Sequence, residues 1–138
     1  MPSITRKVFI KAGPEEVFDL VARIEDFPLY STYIKDIKKV SPGVYHWRVE
    51  LLKVPMEWEA RVIESERPVR LAWESFSGVL NRGSYDMKPV TGGVQVTFKM
   101  EFHLESDLLA IFTAPVLDLV TSKVAGELLE NIKKRLEV

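Results

Sequence analysis

The sequence contains no cysteine. That excludes disulfides, thiol nucleophiles, thiolate zinc sites and cysteine-held iron–sulfur clusters, and with them much redox and covalent chemistry. Histidine is nearly as scarce: His46 and His103 are the only two. A multi-histidine metal centre is therefore not expected, and no motif calls for a metal or a cofactor. Neither sign of charge is in excess, since 19 Lys and Arg stand against 20 Asp and Glu. Without a basic field to collect phosphates, nucleic acid is not an expected partner. No apolar run approaches the roughly 20 residues of a membrane-spanning helix, so no integral membrane association is expected. The opening MPSITRKVFIKAGPEE lacks the charged-then-apolar pattern of a secretion signal, and the chain is read as cytoplasmic. No linker, low-complexity tract or repeat divides it. Residues 1–138 suit one domain around one core.

What is present is ordered by two periodicities. Ser3 to Lys11 alternates around Ile4, Val8 and Ile10. Gly13-Pro14-Glu15-Glu16 then supplies a break, a first-turn proline and two acids suited to a helix N-terminus. A helix follows from about Pro14 to Ile24, a second short one begins near Asp26, and Tyr33 to Val40 is extended and lysine-rich. After the turn Ser41-Pro42-Gly43 the alternation becomes regular, as in antiparallel strands with one face buried and one wet. Tyr45, Trp47, Val49 and Leu51 share one face; Met56, Trp58, Ala60 and Val62 share the next, after the link Lys53-Val54-Pro55. Arg70 to Phe76 makes a shorter strand, Ser75 to Arg82 reads as a loop, and Gly83, Tyr85 and Met87 alternate up to the turn Thr91-Gly92-Gly93. Val94, Val96, Phe98, Met100, Phe102 and Leu104 line one side of a long final strand. From Ser106 the period turns helical, with Pro115 kinking or restarting the helix. Leu117, Val120, Val124, Ala125, Leu128, Leu129, Ile132 and Leu136 then form an apolar face that includes Thr121.

The order is thus a strand, two short helices, about six more strands and one long amphipathic helix: an α+β layout in which a large antiparallel sheet covers a helix. Three segments carry a resemblance to a known family. They are Ile10-Lys11-Ala12-Gly13-Pro14-Glu15-Glu16-Val17-Phe18, then Phe27-Pro28-Leu29-Tyr30, and Arg70-Leu71-Ala72-Trp73 followed by Asn81-Arg82-Gly83-Ser84-Tyr85. Over nearly its whole length the chain resembles the START-like, or SRPBCC, superfamily, in the branch of polyketide cyclase/dehydrase and coenzyme Q-binding proteins. The resemblance implies the helix-grip fold: a curved, seven-stranded antiparallel sheet wrapped around the C-terminal helix, with two short helices after the first strand and a hydrophobic cavity between sheet and helix. It does not choose among carriage, catalysis and protein contact, because function resides in sites and not in folds.

Candidate cavity-lining residues are Trp47, Met56, Trp58, Trp73, Tyr85, Phe98 and Met100 from the sheet, and Leu117, Thr121 and Val124 from the helix. Two readings stand for these side chains, a cavity or a filled core. Among inward polar positions, Tyr45, Ser75, Tyr85 and Thr121 each need a partner, a water or a ligand group. Phe27, Leu29, Tyr30, Phe76 and Leu80 are candidates for the cavity mouth, where they would form a lid, pack together or meet a second subunit or another protein.

The parity of the strands turns both histidines outward, together with Glu57, Glu59, Glu74, Asp86 and Glu101. Asp118 is the acid nearest the buried stripe, and it is assigned no role. Lys35, Lys38 and Lys39 read as a solvated edge strand that resists sheet-to-sheet pairing. No nucleophile elbow, phosphate loop or dinucleotide glycine pattern is present, so no catalytic residue is assigned. The leading expectation is a non-catalytic protein that binds or transports a hydrophobic or amphipathic small molecule, such as a lipid, a quinone or a polyketide-like ring system. The alternatives are an aromatic polyketide cyclase or dehydratase, and an interaction module that works through its loops.

Overall fold

The structure, a computed structural model, describes residues 2–138. The alternating segments pair into one seven-stranded antiparallel sheet: β1 (Ser3–Ile10), β2 (Ile34–Ser41), β3 (Val44–Leu51), β4 (Val54–Glu66), β5 (Arg70–Gly78), β6 (Leu80–Val90) and β7 (Gly93–His103). The spatial order is β1-β7-β6-β5-β4-β3-β2, so the first strand closes onto the last and β2 forms the other edge. Between β1 and β2 lie α1 (Pro14–Ala22) and a 3-10 helix (Ile24–Leu29); after β7 come α2 (Ser106–Ile111) and α3 (Ala114–Leu136). This is the α+β helix-grip layout. Lys35, Lys38 and Lys39 do lie on the edge strand β2.

Local chemistry sets the helix ends. At the start of α1 the Glu16 carboxylate accepts the Gly13 N–H at 3.2 Å while Pro14 occupies the first turn. The helix stops at Ala22, two residues earlier than its pattern suggests, because Arg23 leaves helical geometry and the chain tightens into the 3-10 helix. Pro115 restarts the helix, standing in the first turn of α3 after Thr113.

One expectation is corrected by the sheet. The segment 75–82 is not a loop: β5 continues to Gly78, β6 starts at Leu80, and Val79 alone lies between them. The reversal is this tight because Gly78 has a positive φ of 79°, and a Cβ there would run into the backbone of Glu57 and Trp58. The β4–β5 ladder shifts register twice, at Glu59/Ala60, where Phe76 of β5 is the extra residue, and at Val62/Glu64, where Ile63 of β4 is. These increase local twist and help to curve the sheet.

The core is continuous but has two parts. At one end α1 buries Val17, Phe18, Leu20 and Val21 against the sheet, and α3 adds Leu128, Leu129 and Ile132. There the last turn of α3 is fastened to β1 and its exit: Lys133 Nζ donates to the Phe9 carbonyl at 2.6 Å, and Glu137 accepts the Lys11 N–H at 2.8 Å. Toward the middle of the sheet, helix and strands separate, and the space between them is the site.

Candidate functional site

Parity along the strands sends the large aromatics inward, and they meet as a connected wall. Trp47 and Trp58, directly paired across β3 and β4, stack with centroids 5.7 Å apart and planes 16° apart. Phe27, from the 3-10 helix, bridges from Trp47 at 5.8 Å to Tyr85 at 6.1 Å. Tyr85 in turn touches Phe98 at 5.2 Å and Trp73 at 5.7 Å. Such offset and tilted pairs fix ring positions more tightly than apolar burial alone.

The position of Trp73 rests on two neighbours, Gly83 and Asn81. Gly83, directly opposite on β6, has no side chain, and the indole lies over it. The indole N–H donates to Asn81 Oδ1 at 3.0 Å. Asn81 itself donates one amide hydrogen to the Val79 carbonyl at 3.0 Å, and its backbone N–H donates to Ser75 Oγ at 2.8 Å. Ser75 is thus satisfied inside the fold, as an inward hydroxyl requires.

The wall encloses a cavity of about 130 Å³ between the sheet, the 3-10 helix and α3. Trp47, Trp58, Trp73, Tyr85, Phe98, Met100, Thr121 and Val124 line it, and Phe27 closes one side. For comparison, an engineered apolar cavity of about 150 Å³ holds a benzene ring, whereas pockets for drug-sized ligands start at about 300 Å³. The room present therefore suits one small ring or a short chain. The polar groups on the lining come from Tyr33, Tyr45, Asn81, Tyr85 and Thr121 and from the indoles of Trp47, Trp58 and Trp73, and no Asp, Glu, His, Lys or Arg is among the lining residues.

Tyr85 is 2% exposed, and its hydroxyl has no hydrogen-bond partner among the described residues yet is not walled in, so it opens on the cavity. Burial holds its phenol proton far above the ordinary range. Tyr45 is shifted the same way, by partial burial first and by the charge of Glu25 second. The Thr121 hydroxyl, by contrast, is taken up within its own helix, donating to the carbonyls of Leu117 at 2.8 Å and Asp118 at 3.2 Å.

Several sequence expectations land elsewhere. Met56 and Leu117 are buried but do not line the cavity. Of the mouth candidates, Tyr30 is buried without lining it, its carbonyl accepting the Asn131 amide at 2.8 Å, and Leu29 stands 69% exposed at the end of the 3-10 helix. Phe76 is the extra residue of β5 at the register shift opposite Glu59 and Ala60 and turns to the outer face, 43% exposed, with the Arg61 guanidinium 4.5 Å above its ring. Leu80 pairs with His103 at the sheet end and is 48% exposed. Asp118 is exposed. His46 lies on the outer face, where strand parity puts it, 3.3 Å from Glu57 and 3.8 Å from Glu59.

Among the lining residues that were not cavity candidates are Ile4, Ile24, Tyr33, Ile34, Leu71 and Asn81. Asn81 had a usable signal, since it stands two residues before Gly83 on the same side of a strand. Among the described residues no group of three or more acidic or histidine side chains is placed to hold a metal ion. No helix among them is long and apolar enough to cross a membrane.

Solved structures show the same architecture at low sequence identity. A protein from Thermus thermophilus superposes with a TM-score of 0.87 at 16% identity, over 98% of this chain and 97% of its own. The Zhui aromatase/cyclase from a Streptomyces species gives 0.80 at 13% identity, over 99% and 93%. A START superfamily protein from Mycobacterium smegmatis gives 0.77 at 15%, over 98% and 97%. No curated protein matches. The model of one family, described as polyketide cyclase/dehydrase and lipid transport, matches residues 1–137, and the chain belongs to that family.

Proposed function

We propose that this protein binds and carries a hydrophobic small molecule between its sheet and α3. The observation behind this reading is the chemistry of the cavity wall: stacked aromatics and aliphatic side chains, with no ionisable group other than tyrosine. Such a wall supplies affinity by shape and apolar burial. General acid–base catalysis near neutral pH works best with a group whose pKa lies near 7, and the buried phenol of Tyr85 is moved away from that value. The family description, which includes lipid transport, accords with carriage.

A second reading is a cyclase or dehydratase, in which the wall folds a reactive chain and Tyr85 acts as a proton donor. The observation in its favour is that the side chain of Tyr85 is buried on the cavity wall and its hydroxyl makes no hydrogen bond among the described residues. Native mass spectrometry of the purified protein, followed by solvent extraction and identification of any bound compound, tests both. A stoichiometric hydrophobic adduct recovered chemically unchanged supports carriage. Conversion of a supplied poly-β-ketone, lost in Tyr85→Phe, supports the enzyme. A bare protein that also fails to brighten a hydrophobic fluorescent probe overturns the cavity reading.

A further inference from the structure

The buried polar groups left free in the cavity are hydrogen-bond donors. Thr121 is occupied by its helix carbonyls, and the Asn81 oxygen already accepts the Trp73 indole. The Trp73 N–H is taken up by the same bond, so Trp73 offers only its ring face. What is left without a protein partner among the buried lining residues is the Tyr85 hydroxyl and the indole N–H of Trp58. An indole N–H can only donate, and a phenol that stays protonated presents its O–H. A ligand that fills this cavity must bring acceptors to meet them, or leave buried donors unsatisfied.

Two further facts narrow the class. No cationic side chain lines the cavity, so a carboxylate would be buried without a counter-charge, at prohibitive cost. The wall is built of ring faces at stacking distances, which favours a flat partner. Resting on the carriage reading above, we propose that Tyr85 is the specificity-determining residue: it donates a hydrogen bond to a carbonyl or quinone-type oxygen on a neutral, planar, single-ring ligand. Tyr85 thereby selects such compounds over hydrocarbons of the same shape, while the absence of a cation on the wall excludes acids.

Three probes of similar outline separate these possibilities: acetophenone, ethylbenzene and benzoate, titrated by calorimetry into the protein and into Tyr85→Phe. The variant removes only an unpartnered hydroxyl, and an unchanged melting temperature confirms that its fold is kept. The expected result is that acetophenone binds the parent about tenfold more tightly than ethylbenzene, that Tyr85→Phe erases this margin by weakening acetophenone alone, and that benzoate does not bind. If acetophenone and ethylbenzene bind both proteins equally, the cavity reading stands and the role of Tyr85 is overturned, water being an adequate partner for its hydroxyl. If benzoate binds as well as acetophenone, the neutral-ligand assignment is wrong. If none of the three binds the parent, the carriage reading fails with it.

Discussion

The six-membered ring of Trp73 fills the space in which any residue but glycine at position 83 would place its Cβ, a point 2.5 Å from Cζ2 and 2.6 Å from Cη2 and hard against the Lys99 carbonyl. Two residues on neighbouring strands thus define one wall of the cavity together. Neither the backbone oxygen nor an indole anchored to Asn81 can give way easily. Gly83→Ala is expected to destabilise the fold by about 1–3 kcal/mol and to shift the tryptophan emission as Trp73 is displaced. Denaturant titration followed by fluorescence checks both, and an unchanged midpoint with unchanged emission would contradict the packing described.

The bond between Trp73 and Asn81 makes its own prediction. Asn81 is 4% exposed, so Trp73→Phe leaves its oxygen without a donor, a loss of roughly 1–3 kcal/mol beyond the smaller ring. Replacing both groups, as Trp73→Phe with Asn81→Leu, should cost less than the sum of the single changes. A double-mutant cycle measures this coupling. Strict additivity would mean that the hydrogen bond carries no weight.

Val124 faces the cavity from α3, and a larger side chain there distinguishes open space from a merely loose core. Val124→Phe should fill room that already exists, leaving stability unchanged or raised by about 0.5–2 kcal/mol while abolishing uptake of aromatic probes. A loss of about 1–3 kcal/mol, the usual result of overpacking, would show that the space is not there.

Acid and alkali should act on different groups. Glu137 is held below its ordinary value near 4.5 first by Lys133 and then by the Lys11 N–H, and Asp19 is held below 3.8 chiefly by Arg67. A depressed carboxyl adds stability above its unfolded pKa, and that stability is lost as pH falls through the folded one. Glu137→Gln should therefore flatten the decline in stability below about pH 4.5, by a small amount because the group is at the surface. Tyr85 has the opposite sign: its raised phenol adds stability that is present below its ordinary value of 10.0 and is lost as pH rises beyond it. Tyr85→Phe should flatten the alkaline limb and leave the acid limb alone. Urea midpoints measured across pH check both arms.

The legible parts of the chain were those with one wet and one dry face. Tyr45 to Leu51, Met56 to Val62 and Val94 to Leu104 alternate without interruption, so their strands, the sheet and most of the aromatic wall follow from parity. The segment 75–82 misled because Ser75, Ser77, Gly78 and Asn81 have the composition of a turn. In the fold, Ser75 and Asn81 satisfy each other inside, and only Val79 is left between strands. Phe76 was misplaced because 75–82 was read as a loop; counted along β5 from Leu71, Trp73 and Ser75, it falls on the outer face. Parity also assigns a face but not a depth, which is why Met56 and Leu117 point inward without reaching the cavity. Ile24, Phe27 and Tyr33 lie in segments too short for any period, and there the family resemblance, not the pattern, pointed to the right region.

The fastening of α3 to β1 joins residues 124 and 126 positions apart, Lys133 to Phe9 and Glu137 to Lys11. During synthesis, then, the concave side of the sheet has no cover until α3 has followed all seven strands. The aromatic wall is wet and adhesive for that whole interval, the state in which chains of high contact order are most prone to associate wrongly. A small ring that settled on Trp47 and Trp58 at that stage would shield the wall before the helix arrives, and cargo would then act as a folding aid as well as a passenger.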